Sequence, residues 1–124
     1  MNLVENTYNI TPIVGSIFIH VKDMNRAVNW YAKLLGLSVP PEPYDRVFSI
    51  KLNNLILLLD ANRSDHFQPS KLPLFSFPAE NIDKTYEFLT SNNIDIQGYI
   101  ERFPDISFLT IKDSEGNLIM IVQE

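Results

Sequence analysis

The chain has 124 residues, enough for one domain with a real core. Its formal net charge of -5 argues against a general nucleic-acid binder, because a phosphate backbone demands a basic face. It has no cysteine, which excludes disulfides, thiolate catalysis and zinc sites built on sulfur.

Met1 to Pro12 reads as a polar lead-in with room for a short edge strand. Met1 to Ile10 lacks a basic region followed by a long apolar run, so no signal peptide is expected. No stretch approaches the ~18 apolar residues of a membrane span. With the missing cysteines, these features lead us to expect a cytoplasmic protein that contacts no membrane.

Ile13 to Val21 is β-branched and aromatic, so a strand is expected. Alternation puts Ser16, Phe18 and His20 on one face and Ile17, Ile19 and Val21 on the other. The second set is uniformly apolar and should pack on a helix. Asp23 is a good N-cap. Met24, Ala27, Val28, Tyr31, Leu34 and Leu35 then form a stripe at helical spacing, with Trp30 beside it. Gly36 supplies a left-handed cap. A return strand is expected at Leu37 to Val39, before Pro40, Pro41 and Pro43 impose an extended loop.

Arg46 to Lys51 and Leu55 to Asp60 read as a hairpin turning at Asn53-Asn54. Ala61 to Pro73 is polar and reads as a linker between two halves. Leu74 to Phe77 is the next strand. Asn81 caps a second helix with apolar positions Ile82, Tyr86, Phe88 and Leu89, ended by Asn92-Asn93. Ile94 to Arg102, Ile106 to Lys112 and Asn117 to Gln123 complete a three-stranded meander. Asp113-Ser114-Glu115-Gly116 superficially suggests a calcium loop but lacks the further acidic spacing, and reads as a hairpin turn.

Each half therefore reads βαβββ, and the halves match. Asp23, Met24, Val28, Trp30 and Tyr31 meet Asn81, Ile82, Tyr86, Phe88 and Leu89 at an offset of 58 positions. Phe48 to Lys51 matches Leu109 to Lys112, and Asn54 to Leu58 matches Asn117 to Ile121 at an offset of 63. Such self-similarity marks an internal repeat. The modules are placed at about 13–60 and 74–124, joined by the linker 61–73, in a single domain spanning 1–124.

The repeat resembles the paired βαβββ modules of the vicinal oxygen chelate superfamily, which includes glyoxalase I, bleomycin-resistance proteins and extradiol dioxygenases. The resembling residues are Val21-Lys22-Asp23, Ala27-Val28-Asn29-Trp30-Tyr31 and Leu34-Leu35-Gly36-Leu37, with Ile111 to Asn117 before the last strand. The resemblance implies an α+β fold in which mixed sheets curve around a central cavity. It also implies a homodimer whose cavities are completed at the interface.

Metal-dependent members place His, Gln or Glu on the first and last strand of each module. Carried over position by position, the resemblance puts these ligands at Ser16, Leu57, Leu74 and Met120. Leucine has no donor atom, a neutral hydroxyl is weak and a lone thioether prefers soft ions. We therefore expect no metal site and no cofactor.

Alternation along the strands gives an apolar cavity lining of Ser16, Phe18, His20, Leu55, Leu57, Leu59, Leu74, Ser76, Leu118, Met120 and Val122. Apolar walls with few polar groups are usual for a small-molecule site. His20 is its one candidate catalytic group, as a base or as a donor to a ligand carbonyl. The alternative for His20 is a strand-end histidine without function. His66 falls in the solvated linker, and Asp60, Arg46 and Arg102 sit at strand ends where they could pin a charged ligand.

Three functions remain open. The first is metal-free binding of a hydrophobic or planar small molecule. The second is a metal-independent lyase or isomerase related to glyoxalase, of the lactoylglutathione-lyase type. The third is a structural or protein-interaction module with a closed core. Binding is the preferred expectation.

Overall fold

The computed structural model describes residues 9–124. The elements in chain order are β1 (Ser16–His20), α1 (Met24–Leu35), β2 (Val47–Lys51), β3 (Ile56–Asp60), a short 3-10 turn (Ser64–His66) and β4 (Ser76–Pro78). They continue with α2 (Ile82–Ser91), β5 (Asp95–Arg102), β6 (Ser107–Lys112) and β7 (Leu118–Gln123). Asn9 to Pro12 form no strand. The earlier part of the expected lead-in lies outside the described residues.

The caps foreseen in the sequence form. The Asp23 carboxylate accepts the Arg26 N–H at 3.1 Å, and Asn81 accepts the Lys84 N–H at 3.0 Å, each meeting an orphan donor of a first helical turn. Gly36 stands at φ 66°, the left-handed conformation that ends α1. Met24, Ala27, Val28 and Tyr31 are buried along one stripe of α1. On α2 only Ile82 and Leu89 are buried, and Tyr86 and Phe88 turn partly to solvent.

β1, β3 and β2 form one sheet in that order, and β4, β7, β6 and β5 form the second. In each, a parallel pair (β1 with β3, β4 with β7) is followed by an antiparallel one. This is an α+β fold of two tandem modules. The second is complete as βαβββ. In the first, Leu37 to Val39 forms no strand. Prolines at 40, 41 and 43 offer no N–H to a ladder and hold that segment as a loop.

One face of each sheet packs on a helix. Ile19, Val21, Ile50, Leu57 and Leu59 of the first module and Leu109, Ile111, Ile119 and Ile121 of the second join the α1 stripe, Ile82 and Leu89 in one continuous core. Burying a side chain of this size contributes about 1.5–3 kcal/mol, so these faces supply most of the driving force.

The modules are locked by the β6–β7 turn. The Glu115 side chain is fully buried and accepts the backbone N–H of Lys22 at 2.9 Å and of Asp23 at 2.8 Å. It also accepts the Arg26 Nε–H at 2.8 Å and the Arg26 Nη2–H at 3.1 Å. Tyr31 donates its hydroxyl to Asp113 at 2.7 Å. Asn117 donates to the His20 carbonyl at 3.0 Å and accepts the Ser70 N–H at 3.0 Å. One five-residue turn of the second module thus holds the end of β1, the start of α1 and the linker.

Burial pushes the Glu115 carboxyl up, but its hydrogen bonds from Arg26, Asp23, Ser114 and Lys22 outweigh this and hold it below the usual carboxylate range. Burial raises Asp113, against the hydrogen bonds from Tyr31 and Asn117 that favour its charge. Burial next to Asp113 drives the Tyr31 hydroxyl far upward, so it stays a donor. The hydrogen bond to Glu115 raises Arg26 further.

Glu115→Ala leaves two backbone N–H groups and an arginine without their acceptor. It should cost about 2–4 kcal/mol in urea unfolding, at the lower end because Arg26 is half exposed. A lowered folded-state pKa contributes stability that is complete above the unfolded glutamate range and lost as pH falls through the folded value. Glu115→Gln should therefore flatten the acid limb of the stability–pH curve. A limb as steep as the parent's would rule out Glu115 as its source. Asp113, raised by burial, works in the opposite sense and cannot supply that limb.

Candidate functional site

The face of each sheet away from its helix is where a ligand can reach. In the parallel pair of the first module, Ser16, Phe18 and His20 lie opposite Ile56, Leu58 and Asp60. Paired residues of neighbouring strands share a face. In the second module Ser76 lies opposite Met120, and Thr110 and Lys112 lie opposite Met120 and Leu118. Phe18 is 53% exposed and Leu74 41% exposed. Leu58, Leu118, Met120 and Val122 are half-buried. The described residues do not close over this face.

Eight of the eleven expected lining residues, Ser16, Phe18, His20, Leu74, Ser76, Leu118, Met120 and Val122, stand on or beside it. Leu55, Leu57 and Leu59 do not. Leu57 and Leu59 are fully buried against the helix, and Leu55 packs on the same core. Their places belong to Ile56, Leu58 and Asp60.

The reason is one residue of turn length. Lys51 pairs with Ile56 across four residues, whereas Lys112 pairs with Leu118 across five. The offset between the last strands of the modules is therefore 62 positions, not 63. A slip of one residue exchanges the two faces of a strand. β3 reads Ile-Leu-Leu-Leu-Asp, with no polar alternation to reveal the slip.

By the same register Leu58, not Leu57, is the repeat partner of Met120, so the positions the resemblance implies become Ser16, Leu58, Leu74 and Met120. The corrected set offers one hydroxyl, one thioether and two side chains without a donor, which does not fit a hard divalent ion. Among the described residues no group of three or more His, Asp or Glu side chains is placed to hold a metal.

The polar part of the face gathers at the end of β1 and β3. Asp60 is buried, and its Oδ1 accepts the Asn62 N–H at 2.8 Å. Its Oδ2 lies 3.9 Å from His20 Nδ1 and 3.9 Å from Arg63 Nη1. His66, from the 3-10 turn, lines a cleft of about 290 Å³ together with His20, Arg63, Phe67 and Gln68. The sequence reading placed His66 in solvated linker and gave Arg63 no role. The signal it had was the spacing Asp60-x-x-Arg63-x-x-His66 after a strand end, which returns all three to one place. Arg46 instead closes the linker, donating to the Ala61 carbonyl at 2.7 Å, and Arg102 pairs with Asp83. A larger open cleft of about 640 Å³ lies at the start of α1, beside Tyr44 and Arg46. Trp30 packs edge-on against Tyr31 at 4.7 Å.

The sequence model of the Glyoxalase/Bleomycin resistance protein/Dioxygenase superfamily matches residues 13–121. The chain belongs to this superfamily. Solved structures agree on the fold. A lactoylglutathione lyase from Agrobacterium tumefaciens is 16% identical at a TM-score of 0.70, covering 91% of this chain and 94% of that one. A superfamily member from Sphaerobacter thermophilus DSM 20745 is 20% identical at 0.70, covering 93% and 98%. TnmS3, an antibiotic-binding protein from Streptomyces sp. CB03234, is 19% identical at 0.69, covering 93% and 97%. No curated protein sequence matches the chain.

The face assignment has a direct test. Leu57→Ala should cost about 2–5 kcal/mol in urea unfolding, because it opens a cavity in the core. Leu58→Ala, on the half-buried open face, should cost less than half as much. Equal costs would return Leu57 to the ligand face.

Proposed function

We propose that this superfamily member is a metal-free binding protein for a small hydrophobic or planar molecule. The observation that carries this reading is the open apolar face itself. Phe18, Leu58, Leu118 and Met120 lie on strands whose other face already forms the core, with Leu74 just before β4, so packing does not demand them there. Patches of this kind on a folded protein mark binding surfaces. The side chains at the corrected metal positions favour binding without an ion. The antibiotic-binding protein of the same fold is a precedent for such use of it.

The same face needs a cover to become a cavity, and a second copy of the chain is the occupant we assign to it. A homodimer sets two such faces against each other and excludes water from a ligand between them. We read the protein as cytoplasmic, as a chain without cysteine allows. No helix among the described residues is long and apolar enough to cross a membrane.

One observation supports a second reading, a metal-independent lyase or isomerase. His20 stands 3.9 Å from the buried Asp60, a carboxylate that can orient its ring as a base. Turnover of a 2-oxoaldehyde–thiol adduct that survives chelator and disappears in His20→Ala would favour this enzyme over the binder.

Native mass spectrometry of the purified protein should show twice the 14.3 kDa chain mass without bound metal. N-phenyl-1-naphthylamine should bind saturably, with the same affinity before and after EDTA. Phe18→Asp should weaken that binding about ten-fold, since it places a charge on the apolar face. A stoichiometric metal, or affinity lost with EDTA, would overturn the metal-free reading.

A further inference from the structure

We propose that His20, Arg63 and His66 form a subsite for the anionic group of the ligand, a carboxylate or a phosphate, at the rim of the open apolar face. The subsite rests on the reading of that face as the ligand site, and adds the chemical class of what it takes.

The chain is acidic overall, with 15 Asp and Glu against 10 Lys and Arg, yet this cleft is lined by nitrogen donors, one guanidinium and two imidazoles. Its walls are His20, Arg63, His66, Phe67 and Gln68, with no carboxylate among them. Both histidines of the chain stand in it, brought from β1 and from the linker 46 positions later.

The acidic groups nearby hold these side chains and do not fill the cleft. Asp60 lies underneath, only 4% exposed, with its Oδ2 3.9 Å from both His20 and Arg63. Neither distance is a hydrogen bond, so the guanidinium and the imidazole keep donors for another partner. The exposed Asp65 carboxylate lies 3.5 Å from His66 Nε2 and is not part of the cleft lining. A guanidinium fork matches a carboxylate or phosphate in a plane, and imidazole N–H groups add directed donors. Phe67 supplies an apolar wall for the group that carries the charge.

The position fits an amphipathic ligand. His20 shares its face with Phe18 and lies at the end of β1, so an anion in the cleft leaves the rest of the molecule over Phe18 and Leu58. A cation is disfavoured by the lining, and no metal-binding group of His, Asp and Glu exists here among the described residues.

The test measures binding of three probes to the full chain by calorimetry: 2-naphthoate, 2-naphthyl phosphate and the neutral 2-naphthalenemethanol. Both anions should bind about five- to ten-fold tighter than the alcohol, a modest gain because Arg63 and His66 are largely exposed. Arg63→Gln and His66→Gln should each reduce that preference and leave the alcohol unchanged. Lys51→Gln, at the opposite end of the sheet, should change nothing. Added salt should weaken the anions alone. The tighter of the two anions identifies the headgroup.

If the alcohol binds and the anions bind no tighter, the subsite is wrong while the apolar face stands. If Arg63→Gln weakens all three probes equally, the cleft holds no anion. If none of the three binds, the reading of the face falls and takes the subsite with it.

Discussion

The Glu115 carboxylate sits where three pieces of chain meet: the end of β1, the first turn of α1 and the β6–β7 turn. The two modules share one continuous apolar core, and apolar contact alone is non-directional and leaves their relative orientation loosely defined. Hydrogen bonds from Lys22, Asp23 and Arg26 to one buried acid do fix it, because each is directional and each would be costly to leave unmade in a dry site. Asn117 extends the same restraint to the carbonyl of His20. The polar end of the open face is thereby held by the turn of the other module.

Nothing equivalent mirrors this in the first module. Its hairpin turn is one residue shorter and carries Asn53 and Asn54, both exposed, where the second module carries Asp113 to Asn117. The repeat is therefore a duplication of framework and not of function. The caps, the helix stripes and the strand pairing recur, while the buried carboxylates of the β6–β7 turn have no counterpart in the first module's hairpin turn. The same asymmetry places Asp60 and Val122 at equivalent strand ends, one charged and one apolar.

The framework was legible because its signals are local and physical. Asp23 and Asn81 announce helix starts, Gly36 announces an end, and the apolar stripe between them has only one way to face. In the second module Ser76 lies opposite Met120, as strand alternation led us to expect. The face of β3 was not legible, because four consecutive aliphatic residues carry no alternation, and its register is set by the length of a turn elsewhere. Leu37 to Val39 has the composition of a strand and lost its ladder to three following prolines. Glu115 was hidden differently. A turn rich in acids looks like solvated surface until Arg26 and the start of α1 are seen to stand over it.

The open face carries apolar side chains at mid-strand and gathers its polar groups at the strand ends. Ser16, Leu58, Leu74 and Met120 leave its centre apolar, so a ligand gains there only by burying its own apolar surface. Such contacts bind without fixing orientation, because the hydrophobic effect has no direction. Direction has to come from the rim, where His20, Arg63 and His66 stand over Asp60. Asp60 is buried, and its Oδ2 lies 3.9 Å from both His20 Nδ1 and Arg63 Nη1, so one carboxylate is shared by the two side chains. On the binding reading proposed above, an apolar centre would supply affinity and a polar rim orientation, and the Asn117 hydrogen bond to the His20 carbonyl holds the strand end on which that rim stands.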